Sequence, residues 1–366
     1  MKIEEIDSNF KPAMIGDRAV VYLDVLKKPF SVEGLPWPSP ASEKWPFARI
    51  PPTLTKEQVN ESALKLGWHM TSGGAIRFLS DSPFIAIKAV LAHSYDMNHM
   101  PRSGSAGFDL YVGPFFDSVH CGTAQPSRDE INLERMLYVR DEGDKTMREW
   151  TINLPLYGGV AAVSVGVAPD ATIEAPPPHR TGKILFYGSS ITQGGCASRP
   201  GNMYPSMLCR ALDAEQVNIG LSGSARGELA MAEAIADLDL AAFVDDYDAN
   251  APTPEHLWKT HEPFYKVIRK RHPDLPILLL SRCDIWPKLT DSRYHCLCDY
   301  RKAVRTTYEN AIAAGDRHVY YIDGETLFGD CEREACTVDL YHPNDLGFYR
   351  MYKTVLPVLR KALEEA

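Results

Sequence analysis

The sequence predicts a two-part chain: an antiparallel β-sandwich, jelly-roll-like, over residues 1–178, then an α/β domain over 179–366 on a parallel five-stranded sheet. Three observations lead there. The first half carries short apolar runs bounded by Gly, Pro, Asp and Ser. The second half alternates apolar runs with helical periodicity. Between them "APPPHRTGK", residues 175 to 183, reads as a stiff linker. At 366 residues the chain is long for one core and suits two domains.

In the first half, "AIRFLS", "FIAIKAVLAH", "GFDLYVG", "MLYVR" and "TINLPLY" read as strands, and "TKEQVNESALKLGW" as a short helix. "GLPWPSPASEKWPFARIPP" holds too much proline for regular structure and is expected to wrap the surface or a domain interface. In the second half the apolar runs are "ILFY", "QVNIG", "AAFVDDY", "PILLLS" and "VYYID". Each precedes a helical segment: "MYPSMLCRALDA", "RGELAMAEAIADL", "PEHLWKTHEPFYKVIRKRH", "SRYHCLCDYRKAVRTTYENAIAAG" and the terminal "LGFYRMYKTVLPVLRKALEEA". Gly315 is placed to end the fourth of them. Sheets of this kind bind ligands at the carboxyl ends of their strands.

Charge and composition narrow the function. A net charge of −9 disfavours nucleic acid as a partner, and Arg269, Lys270 and Arg271 read as a cap on a helix end. No apolar window is long enough for a membrane span, and "MKIEEIDSNFKPAMIG" lacks a signal-peptide core, so a cytoplasmic protein is expected. Of the eight cysteines, Cys296 and Cys298 would point to different sides of a helix, and Cys331 and Cys336, even with His295 and Cys283 nearby, fit no zinc spacing. Free thiols, no metal and no cofactor are the expectation.

The strand ends carry the chemistry. "GSSIT" puts Ser189 and Ser190 after the first strand of the sheet, "NIGLSGSARG" puts Gly223 after the second, and "DYDAN" puts Asn250 after the third. "DLYHP" places Asp339 and His342 before the last helix. Singly, each is an ordinary turn or cap. Together and in this order, the set resembles the SGNH (GDSL-type) hydrolases. That resemblance implies a three-layer αβα, flavodoxin-like domain. "SAGFDLYVG" is similar to the GxDLY signature of a sandwich attached to one branch of that family, where Asp109 is taken as structural. Two departures stand out: Ser189 replaces the family's usual Asp, and the third block has lost its Gly.

The resemblance implies Ser190 as nucleophile, His342 as base and Asp339 as the acid orienting the ring. A serine hydroxyl needs such a base, and an imidazole can take its proton near neutral pH. An Asp three residues before the His can reach Nδ1 through a tight turn and leave Nε2 for the hydroxyl. The N–H groups of Ser190 and Gly223 and the Asn250 amide are the expected oxyanion donors, Gly223 because backbone must approach closely there. Asn344 or Asp345 is expected to cap the last helix.

The expected activity is a serine esterase removing a short acyl group, acetyl above all, from a small-molecule or oligosaccharide ester. This rests on similarity to carbohydrate esterases of the same layout. Ser189, Trp258 and Trp286 are candidate substrate contacts, the tryptophans as stacking platforms for a sugar. A non-sugar acyl donor (thioester or phospholipid) and an idle glycan-binding protein are the alternatives. Docking of a second copy through the sandwich is left open.

Overall fold

The computed structural model describes residues 1–6, 11–37, 46–93, 96–141, 143–283 and 292–366, with backbone alone over 292–296. The first half forms two antiparallel sheets. One has the order β1 (Ala13–Ile15), β2 (Arg18–Asp24), β10 (Val160–Val167), β5 (Phe84–Leu91), β8 (Asn132–Val139). The other runs β11 (Ile173–Glu174), β4 (Ala75–Ser80), β9 (Arg148–Asn153), β6 (Phe108–Val112), β7 (Val119–Ala124), with β3 (Ser31–Glu33) also paired to β4. Their apolar faces share one core in which Ile76, Phe78, Trp150, Ile152, Val163 and Val165 are buried. This is the expected sandwich.

The second half is the expected parallel sheet, in the order β13 (Ala214–Gly220), β12 (Thr181–Gly188), β14 (Ala242–Asp246), β15 (Ile277–Leu280), β16 (Val319–Ile322). Alternation along β12 feeds both faces: Leu185 and Tyr187 join the core under α6 (Leu229–Ala236), α7 (Pro254–Arg271) and α8 (Ser292–Ala313). Ile184 and Phe186 join the core under α5 (Tyr204–Leu212) and α9 (Asp345–Glu364). Burial on both faces is why these strands read as unbroken apolar runs. Strand order reverses between β12 and β14, the point at which sheets of this kind bind ligands beyond the carboxyl ends of their strands. Gly315 has φ +92° after α8, as its placement requires.

The packing crosses the linker. The helix read in the first half is α2 (Glu61–His69), and its Ala63 and Leu64 pack, with Ile50, into the core of the α/β half. Within the proline-rich segment, Arg49 is a fully buried guanidinium. It donates to the carbonyls of Asn218 and Gly220 in β13 and to those of Leu66 and Met70. Of the two places expected for this segment, the surface or a domain interface, its Arg49 lies at the interface.

Candidate active site

Ser190 is the first residue of the four-residue helix α4 (Ser190–Gln193), directly after β12. Ser189 is its N-cap: its Oγ accepts the Ile191 N–H at 3.1 Å, and the residue is fully buried. The idea that Ser189 contacts substrate is therefore corrected. Its hydroxyl braces the turn, the task left open by loss of the family's aspartate, because a cap oxygen satisfies a helix N–H that would otherwise be orphaned.

The Ser190 hydroxyl donates to His342 Nε2 at 2.9 Å. On the other side of the ring, His342 Nδ1–H donates to Asp339 Oδ2 at 2.7 Å. Asp339 Oδ1 also accepts the backbone N–H groups of His342, at 2.7 Å, and Tyr341, at 3.1 Å. Between them Leu340 sits at φ +69°, the left-handed residue that lets the chain fold back over three positions. Burial pushes the Asp339 carboxyl up, but the His342 amide and ring outweigh it and hold the group below the usual carboxylate range. The Tyr341 hydroxyl donates to Ala249 O at 2.8 Å, tying this loop to the turn after β14.

Asn250 and the loop that carries Gly223 meet beyond the carboxyl ends of β13 and β14. Asn250 closes a short 3-10 turn after β14, and its Oδ1 accepts from Ser224 N at 3.1 Å and Ala225 N at 3.3 Å. It thus holds the Gly223 loop rather than its own backbone, and among the described residues no acceptor takes up its two amide hydrogens. Gly223 has φ +69°, which selects glycine. The crowding expected there is not from the protein: a Cβ at Gly223 would meet no atom within 4 Å. Among the described residues, no acceptor takes up the Ser190 or Gly223 N–H.

Sequence reasoning missed the side chain that joins these pieces. Gln193, fully buried, accepts the Ser222 N–H on Oε1 at 2.9 Å and donates from Nε2 to Leu156 O at 3.1 Å. Its carbonyl accepts the Ser72 hydroxyl at 2.7 Å. A Cβ at Gly220 would lie 2.2 Å from Gln193 N, so β13 can approach α4 this closely only with glycine. Also unforeseen is Asp246, whose Oδ2 accepts from Thr192 at 3.0 Å and Tyr204 at 2.9 Å beneath α4. Burial first, then the Asp248 carboxylate, pushes Asp246 up to about 8.

Asn344 caps α9 by accepting from Gly347 N at 3.1 Å, while Asp345 accepts from Ser198 N at 2.9 Å and Asn202 Nδ2 at 2.9 Å, pinning the loop after α4. Buried Asp109 accepts from Asn153, Arg199 and Gly201 N, joining the sandwich to that same loop, a structural role as expected. Trp258 is 42 % exposed on α7 and enters no core. Trp286 lies outside the described residues. The Cys196 thiol is pushed up to about 12, by burial and then by the Asp339 carboxylate, so it does not compete with Ser190 as a nucleophile. Among the described residues, no helix is long and apolar enough to cross a membrane.

In chemical terms, the arrangement can move a proton from a hydroxyl to an imidazole beside backbone and amide donors. Residues 181–360 match the GDSL-like lipase/acylhydrolase family, and residues 20–173 match the GxDLY family, the N-terminus of SGNH-hydrolase-type esterases. No curated protein matches the chain. Among solved structures, a GDSL-like lipase-family protein from Bacteroides ovatus is 29% identical, covers 95% of this chain and 99% of its own, and superposes with a TM-score of 0.83. The salicylyl-acyltransferase SsfX3 of a tetracycline biosynthetic pathway is 19% identical over 94% of this chain and 97% of its own, with a TM-score of 0.75. A family two carbohydrate esterase from Clostridium thermocellum, solved with cellohexaose, is 15% identical over 81% of this chain and 95% of its own, with a TM-score of 0.61. By its two halves, then, the chain belongs to the GDSL-like lipase/acylhydrolase family of ester hydrolases, in the form preceded by a GxDLY domain.

Proposed function

We propose that the protein is a serine esterase that removes a short acyl group, acetyl foremost, from a carbohydrate through an acyl-enzyme on Ser190. The observation that carries this is the unbroken line from Ser190 Oγ through His342 to Asp339, 2.9 Å and 2.7 Å. His342 takes the hydroxyl proton as Oγ attacks the ester carbonyl, and Asp339 stabilises the imidazolium formed. The N–H groups of Ser190 and Gly223 and the Asn250 amide receive the charge on the carbonyl oxygen. The proton then returns to the leaving alcohol, and water repeats the sequence on the acyl-enzyme.

The sugar part of the reading is supported by relatives described as carbohydrate esterases, and by an acetyl xylan esterase from Butyrivibrio proteoclasticus, at 13% identity and a TM-score of 0.53. A second reading keeps the acyl-enzyme and passes the acyl group to an alcohol other than water. The near-complete overlap with a salicylyl-acyltransferase favours considering it. The test is acetate release from acetylated xylo-oligosaccharides and from p-nitrophenyl acetate, with Ser190→Ala as control. Serine-dependent release from both supports the sugar esterase. Release from the aryl ester alone, with transfer to an added alcohol, supports the second reading.

A further inference from the structure

Three side chains from segments remote in sequence, His99, Cys196 and His342, converge beside the Ser190 turn. Cys196 lies on the loop after α4, and His99 on the loop between β5 and α3 (Arg102–Ser105) of the sandwich. The ligand atoms of His99, Cys196 and His342 all lie within 4.8 Å of one another. The His99 and His342 ring centroids lie 5.6 Å apart, with the ring planes tilted by 56°. Cys196 is buried at 4 % exposure and held at φ +75°, a conformation that a non-glycine residue rarely adopts. His99 is exposed and leaves the group open to solvent.

The geometry points to an inhibitory site for a soft divalent cation, Zn²⁺ in particular, formed by His99, Cys196 and His342. Two imidazoles and a thiolate are a donor set that suits zinc and does not suit magnesium or calcium. Three protein ligands leave a tetrahedral ion one position for solvent. Ligand atoms in such a site stand about 3.3–3.6 Å apart, against at most 4.8 Å here, so closure of up to about 1 Å is required, and the exposed His99 side chain can supply its own share by a rotamer change. Asp339 already accepts the Nδ1–H of His342, which is the usual outer partner of a metal-bound imidazole.

The consequence follows from the tautomer. With Nδ1–H committed to Asp339, the lone pair that His342 offers a metal is on Nε2, the atom to which Ser190 donates. On binding, the ion gains that lone pair and the Cys196 sulfur, the thiol proton passes to solvent, and no electrons are transferred. The Ser190 hydroxyl then has no base. The binding half of this inference stands on geometry alone; the inhibition half rests on the proposed role of His342.

Co²⁺ and Zn²⁺ titrations of metal-free protein test the two halves separately. The Ser190→Ala protein is expected to bind one equivalent of Co²⁺, with a thiolate-to-cobalt charge-transfer band that Cys196→Ser abolishes. In catalytically intact protein, Zn²⁺ is expected to stop ester hydrolysis, and EDTA to restore it. His99→Gln and Cys196→Ser should hydrolyse ester at the metal-free rate but need more Zn²⁺ for half-inhibition. The shift should exceed the roughly 10- to 100-fold typical of losing an outer-shell partner. His99→Gln, at an exposed position, guards against misfolding of the cysteine variant. The site is refuted if cobalt binding is absent, or survives both substitutions. Binding at one equivalent with an unchanged rate in active protein overturns the inhibition. Should no ester be hydrolysed at all, the cobalt band still decides whether the site exists.

Discussion

Gln193 accepts the N–H of Ser222, the residue immediately before Gly223, from a position three residues after Ser190. One buried amide thereby sets the spacing between the α4 turn and the glycine loop. Gln193→Ala should lower kcat by about 10-fold or more with little change in KM, because a displaced oxyanion donor acts only in the transition state. Losing its buried partners should also cost about 1–3 kcal/mol of stability. Steady-state kinetics beside thermal melting check this. A lower melting temperature with unchanged kcat would make Gln193 a purely structural residue.

Asn250 has two separable tasks. Its oxygen holds Ser224 and Ala225, and its amide hydrogens are the proposed oxyanion donors. Asn250→Asp keeps the first and removes the second. A kcat loss of about 100- to 1,000-fold is expected, with the fold retained. Full activity in that variant would take the side chain out of the oxyanion site.

Asp339→Asn leaves an oxygen for the N–H groups of Tyr341 and His342 but can no longer hold the ring in the tautomer that frees Nε2. The expected loss is about 10,000-fold in kcat, the size of the corresponding effect in another serine hydrolase. Because the Asp339 carboxyl is held below the usual range, its stabilising contact is present above that range and is lost only as pH falls through its lowered value. The variant should therefore reduce activity at neutral pH, where loss of an already protonated acid would have no effect.

His179 joins the two halves. Its Nε2 lies 2.8 Å from Glu33 Oε2 of the sandwich, and its Nδ1 lies 3.0 Å from Asp213 Oδ1 at the end of α5. Burial opposes the imidazolium, and the Arg77 guanidinium, 2.9 Å from the same Nε2, opposes it as well. The carboxylates outweigh both, so the pKa of His179 is raised above 6.5. A raised folded-state value means that the stabilisation is complete below 6.5 and is lost as pH rises through the raised value. The melting temperature of the wild type should fall with pH in that window more steeply than that of His179→Gln. Parallel curves would show that the charge on His179 contributes nothing to the clamp.

How much of this was legible in the sequence follows from where each signal lies. β12 to β16 could be read because strands buried on both faces are continuous apolar runs. β7 leaves no such trace, since only Ala124 in it is buried. Ser190, Gly223, Asn250, Asp339 and His342 stand at strand ends or in one short turn, so order along the chain was enough to propose that they meet. Gln193, Arg49 and Cys196 could not be found that way. Each acquires its partners from segments far along the chain, and an isolated buried Gln, Arg or Cys carries no spacing to read. Ser189 misled for the opposite reason: beside Ser190 it read as a candidate substrate contact, whereas the short helix needed an N-cap.

The central claim is that Ser190 itself carries the acyl group. The direct measurement is peptide mass mapping of protein quenched during turnover of p-nitrophenyl acetate. An acetyl adduct confined to Ser190, absent from Ser190→Ala along with turnover, is the predicted result. Turnover at the wild-type rate by Ser190→Ala, or an adduct on another residue that tracks the rate, would contradict it.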